Sequence, residues 1–137
     1  MLGVEAPRME TLRQGSTSRV RTIRLETQHP TQFIDLTDDV EALVRTAGVQ
    51  TGLVNIQTLH TTTAIVVNEH EPLLLADVAA MLERLAPQDA VYRHDNVSLR
   101  GANCVLGERP NGHSHCRAVL LASAVCVNVA EIGRAHV

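Results

Sequence analysis

Apolar positions change their spacing several times along the chain, and each change marks an element. From Ser18 to Gln28, Val20, Ile23 and Leu25 interrupt Arg and Thr in an imperfect alternation, the pattern of a half-exposed strand. TQFIDL, residues 31–36, adds a second short strand after Pro30. Thr37 then caps a helix. Asp38 and Asp39 favour its first turn through the macrodipole, Val40, Leu43 and Val44 form its apolar stripe, and Gly48 ends it. Residues 51–59 (TGLVNIQTL) and 63–68 (TAIVVN) are β-branched and apolar, and read as two core strands.

Pro72 suits the first turn of a second helix, with Leu75, Val78, Ala79, Leu82 and Leu85 on one face and Pro87 as its stop. Residues 88–112 are polar and irregular, the kind of long loop that tends to be functional or disordered. HCRAVLLASAVCVNVAE supplies two more β-rich runs, broken near Ala122 and Ser123. The expected order is ββαββα followed by β-strands. It lacks a regular βαβ alternation, which places the fold in the α+β class.

Composition narrows what such a domain can do. The 137 residues make one domain by length, with 45% hydrophobic and 20% charged residues. All 12 basic residues are Arg, which removes Schiff-base chemistry, a lysine nucleophile and a phosphate loop ending in Lys-Ser/Thr. There is no Trp, one Phe and one Tyr, so the core must be aliphatic and base stacking has few platforms. A formal charge of −3 with scattered arginines gives no basic stripe, which argues against a nucleic-acid partner. No apolar run reaches the length of a membrane span, and the N-terminus lacks a signal pattern. Cys104, Cys116 and Cys126 are odd in number and have no CxxC spacing, as in a reduced, cytoplasmic protein.

Candidate chemistry gathers on histidine. In PNGHSHC, residues 110–116, an extended backbone would project His113 and His115 to one face, roughly 6 to 7 Å apart. His60 and His94 are available from strand-end and loop positions, and three neutral imidazoles plus water form a catalytic zinc pattern. Carboxylate with histidine suits magnesium or manganese as well, so a divalent metal is expected on His60, His113 and His115 without its identity being fixed. Glu69 is the carboxylate candidate for a general base or a further metal ligand, or equally a surface residue before a helix.

Geometry raises an objection. If 52–59 and 63–68 form a hairpin turning at 60–62, His60 and Glu69 lie on the order of 17 to 20 Å apart. Either the strands are not a simple hairpin, or Glu69 acts elsewhere, or a neighbouring subunit completes the site. Arg93, Arg109 and Arg117 are the candidates for phosphate, which guanidinium forks bind in bidentate fashion; each taken singly also suits a solvated surface. Thr61, Thr62 and Thr63 are hydroxyl donors or strand-edge residues.

HTTTAIVVNEHEP, the YRHD segment and ERPNGHSHCRAVLLAS together resemble the YjbQ family of secondary thiamine-phosphate synthases, in matching order over residues 17–131. That resemblance implies a pseudo-barrel or β-sandwich fold that assembles as a homotrimer, with sites between subunits. It carries over His60, Asn68, Glu69, His94 and His115, while His113 matches the branch of the family with NGHxH. It implies catalytic roles for Asn68, Glu69 and His94, and a small phosphorylated substrate. The implied reaction joins a hydroxymethylpyrimidine diphosphate to a thiazole phosphate with loss of pyrophosphate.

Chains of that family continue into a further strand pair with a Gly-x-Trp-Gln-like segment and a late acidic strand, which this sequence lacks. The expectation is a loose leader over residues 1–16, a single domain over 17–131 missing its last strands, and a non-native tail over 132–137. IGRAHV reads as one frame of a sequencing adapter. Two other readings stand beside the transferase: a metal-dependent hydrolase of a phosphorylated metabolite, and a non-catalytic oligomer clamped by metal.

Overall fold

A computed structural model of the protein describes residues 18–104 and 107–129. The expected leader and the expected tail lie outside those residues. The described fold is α+β: helix α1 (Thr37–Ala47), strand β1 (Gly52–Gln57), helix α2 (Pro72–Leu85), two 3-10 turns (Arg93–Asp95 and Val97–Leu99), helix α3 (Gly112–Leu120) and strand β2 (Ala124–Val129).

Both helices expected from periodicity form. In α1, Val40, Leu43, Val44 and Ala47 are half-buried, and Asp38 and Asp39 occupy the first turn. Leu36 is the N-cap rather than Thr37, whose backbone N–H is instead held at 2.9 Å by Asp35 Oδ1. Gly48 closes the helix with φ 67°, a left-handed conformation that glycine takes without a Cβ penalty. Helix α2 starts on Pro72, and Glu71 caps it by accepting from the N–H groups of Leu73 (3.0 Å) and Leu74 (2.8 Å). Those are two of the donors that a helix start leaves unsatisfied.

The strands correct the expectation. β1 pairs antiparallel with β2, from Gly52↔Val129 to Gln57↔Ala124, and Thr58 N–H extends the ladder by donating to Ser123 O at 2.9 Å. Residues 63–68 form no strand. One bond, Ile65 N–H to Ala122 O at 2.8 Å, ties them beside the start of β2. The hairpin that would have separated His60 from Glu69 does not exist, because the apolar partner for β1 comes from the far end of the chain. The strands expected over 18–28 and 31–36 are irregular too. A strand needs a neighbour for its backbone groups, and no described segment pairs with these residues, which are exposed from 18 to 32.

The third correction is α3. PNGHSHC was expected to be extended, yet residues 112–120 are helical. Helix α3 packs its middle against the end of α2. Leu82, Ala86 and Val129 are buried, as are His113 and Arg117. Arg117 donates to Ala86 O (2.9 Å) and Thr31 Oγ1 (2.7 Å), and pairs with Glu83. No described helix is long and apolar enough to cross a membrane.

Candidate functional site

The site is assembled where the turn at residues 93–95 meets the start of α3. Asp95 Oδ1 accepts from the backbone N–H of Asn111 (2.9 Å) and of Gly112 (2.8 Å), sequence neighbours only through the fold. A carboxylate there satisfies orphan donors and sits at the positive end of the helix dipole. Close approach needs Gly112: a Cβ at that position would fall 2.5 Å from Tyr92 Cβ and 2.8 Å from its Cγ. With this clasp in place, His94 and His115 meet edge to face, ring centroids 4.7 Å apart at 70°.

The pair has a specific electrostatic environment. Burial holds the His115 pKa below the ordinary imidazole value, and the neighbouring His94, His60 and Arg100 push the same way against Glu108. His115 is therefore neutral at pH 7. His94 Nε2 is buried and has no hydrogen-bond partner among the described residues. Beside them Arg100 pairs with Glu108 at 2.5 Å, both side chains largely buried, and Glu108 Oε1 accepts from Asn111 Nδ2 at 3.2 Å.

His60 is held by its own turn. Thr62 N–H donates to His60 Nδ1 at 3.3 Å, and the Thr62 hydroxyl lies 2.8 Å from the same nitrogen. A backbone N–H can only donate, so Nδ1 is the acceptor and Nε2 is the ring's donor. Thr63 Oγ1 donates to His60 O at 2.9 Å and also bonds to Thr58 Oγ1, so Thr62 and Thr63 help to build the turn.

Other expected residues fall elsewhere. On a helix, positions two apart differ by about 200°, so His113 and His115 point to different sides. His113 is buried against Tyr92, ring centroids 6.4 Å apart, with Ser114 Oγ 3.0 Å from its Nε2. Arg117 is bound to protein acceptors and not turned toward a phosphate. Arg93 is exposed on the 93–95 turn; Arg109, also exposed, lines an open cleft of about 580 Å³ with His29, Asp89 and His113. Asn68 and Glu69 are exposed on the irregular stretch before α2, and no described bond joins them to the His94–His115 pair. Asp95, Arg100 and Glu108 were not singled out by the sequence reading; nothing in local spacing marks a carboxylate that caps a helix 16 residues onward.

A metal site needs three or four converging donors. Among the described residues no group of three His, Cys, Asp or Glu side chains is placed to hold an ion. The expected set of His60, His113 and His115 is not assembled within one chain, because α3 turns His113 away to pack on Tyr92. His94 and His115 supply two imidazoles and no more.

The sequence profile of the family described as UPF0047 protein YjbQ-like matches residues 21–135. The chain is 35% identical over 105 residues to a UPF0047 protein of Methanothermobacter thermautotrophicus, spanning 77% of this chain and 66% of that one. It is 36% identical over 107 residues to a UPF0047 protein of Archaeoglobus fulgidus, spanning 78% and 74%. Among solved structures, it resembles an uncharacterized conserved protein of the yjbq/upf0047 family from Clostridium acetobutylicum. There the TM-score is 0.64 and the identity 30%, over 78% of this chain and 74% of that one. A YbjQ-like protein of unknown function from Sulfolobus solfataricus P2 aligns at TM-score 0.67 and 27% identity, over 78% and 70%.

Proposed function

From the premise that the chain belongs to the YjbQ-like UPF0047 family, we propose that it is a transferase of the thiamine-phosphate-forming type, with its site at the His94–His115 contact. The observation that carries this reading is that contact: a neutral His115 against His94, with His60 within electrostatic reach.

In the reaction, the ring nitrogen of a thiazole phosphate attacks the methylene carbon of a hydroxymethylpyrimidine diphosphate. The carbon–oxygen bond breaks and its electron pair leaves with pyrophosphate. The attacking nitrogen carries no proton, so the step asks for no general base on the nucleophile. It asks for donors to the departing diphosphate. His60 Nε2–H and the exposed Arg93 suit that task, and the imidazole of His115, whose pKa burial lowers, can donate without adding a fixed charge.

In this reading the protein works as a homotrimer with sites between subunits, where Asn68 and Glu69 of a neighbouring copy reach the substrate. Exposed apolar side chains such as Leu53 (71%), Leu59 (89%) and Val119 (84%) offer surface that a neighbouring copy would cover. The test is incubation of the protein with both substrates. Thiamine phosphate should form, and His115→Ala and His94→Ala should lower its rate; equal rates in all three proteins reject the proposal.

One observation favours a second reading, a metal-dependent hydrolase of a small phosphorylated metabolite. The unpartnered His94 Nε2 beside a neutral His115 is a donor pair for zinc, magnesium or manganese, if a second subunit adds ligands. A phosphoester and pyrophosphate panel, run with and without chelator and paired with elemental analysis, separates the two.

A further inference from the structure

We propose that Asp95 is the positioning residue of this site: by holding two backbone N–H groups at the start of α3, it fixes the contact between His94 and His115. The catalytic consequence rests on the transferase reading; the geometric claim does not.

Three relationships carry it. Asp95 follows His94 directly, and His115 lies one helical turn beyond Gly112, so a single carboxylate links the two backbones that present the two rings. Its bonds to Asn111 and Gly112 (2.9 and 2.8 Å) converge on one oxygen, which sets the start of the helix relative to the turn. Gly112 sits so close to Tyr92 that no side chain fits between them, so the turn and the start of the helix are in close contact here.

The far part of α3 has its own attachment. Arg117 ties it to Ala86, Thr31 and Glu83, and Asn111 Nδ2 has a separate bond to Glu108. Removing the Asp95 carboxylate should therefore release the start of α3 while the helix stays docked. The expected defect is a lost alignment of the imidazoles in a folded protein.

The experiment uses the whole chain with isotope-labelled histidine and reads the nuclear Overhauser cross-peak between the ring protons of His94 and His115. Wild type should show it. Asp95→Ala and Gly112→Ala should lose it while helical circular dichroism is retained. Asp95→Asn keeps a weaker, neutral acceptor and should give an intermediate cross-peak, which decides the matter should Asp95→Ala fail to fold. A cross-peak at wild-type strength in Asp95→Ala or Asp95→Asn overturns the proposal, as does its absence from wild type.

In the thiamine-phosphate assay, a misplaced ring predicts that Asp95→Ala lowers kcat by about a hundredfold. If His115→Ala and His94→Ala both make product like wild type, the transferase reading fails and the cross-peak result is untouched. If instead the cross-peak survives in the Asp95 variants, the positioning role fails alone.

Discussion

Arg117 and Glu83 form an ion pair across the seam between α3 and the last turn of α2, and the same guanidinium donates to Ala86 O and Thr31 Oγ1. An arginine that a sequence reading offers to phosphate is thus a fastener between three segments. Arg117→Ala leaves a buried carbonyl without its donor and should cost about 1.5–3 kcal/mol. Urea unfolding measures it. The same variant, where folded, should bind inorganic phosphate as wild type does; weaker phosphate binding would return Arg117 to the ligand.

The core makes a sharper demand. Leu82 is 4% exposed in a fold with few fully buried apolar side chains, so Leu82→Ala should destabilise by about 2–5 kcal/mol. A melting temperature within a degree or so of wild type would mean that the end of α2 is not the packing centre.

Acid should act first through His115. Its folded pKa is lowered by burial and nearby positive charge, so between that value and the unfolded value of about 6.5 the unfolded chain binds more protons. Stability then rises with pH across that window and falls as pH drops below about 6.5. His115→Gln should flatten this part of the profile, read as melting temperature against pH. An unchanged slope would place His115 in solvent.

A second loss should follow at lower pH. Two N–H groups hold the Glu71 carboxyl below its usual value, as bonds from Thr37 do for Asp35. Depressed carboxylates stabilise above their unfolded pKa, about 4.3 for Glu, and the contribution vanishes as pH falls through the folded value. Glu71→Ala should lower the melting temperature at pH 7 and remove part of the acid transition. Glu71→Gln, which keeps an acceptor, should fall between. Equal melting of all three proteins at pH 7 would show that the cap adds nothing.

What the sequence made legible was local. Pro72 and Gly48 punctuate helices whose apolar stripes repeat over about two to three turns, and β1 and β2 are rich in β-branched residues. The partner of β1 was not legible, since 63–68 is as apolar as 124–129 and the choice depends on chain paths. The helix at 112–120 was missed because HxH fits an extended face and its cap is remote. Asn111 does occupy the N-cap position, but its side chain turns to Glu108 while Asp95 satisfies the backbone. His94 and His115 were both named from sequence, His94 as a catalytic residue and His115 as a metal ligand beside His60 and His113; their edge-to-face contact lies at a seam that the remote Asp95 carboxylate joins.

The register of β1 with β2 has a kinetic meaning. Every group named at the site, from His60 to His115, lies inside the loop that the Gly52↔Val129 pairing closes. Such a closure is a long-range event, slow beside helix formation and opposed by chain entropy. On the ribosome, α1 and α2 can form as they emerge, but the histidines wait for β2 to come out of the exit tunnel.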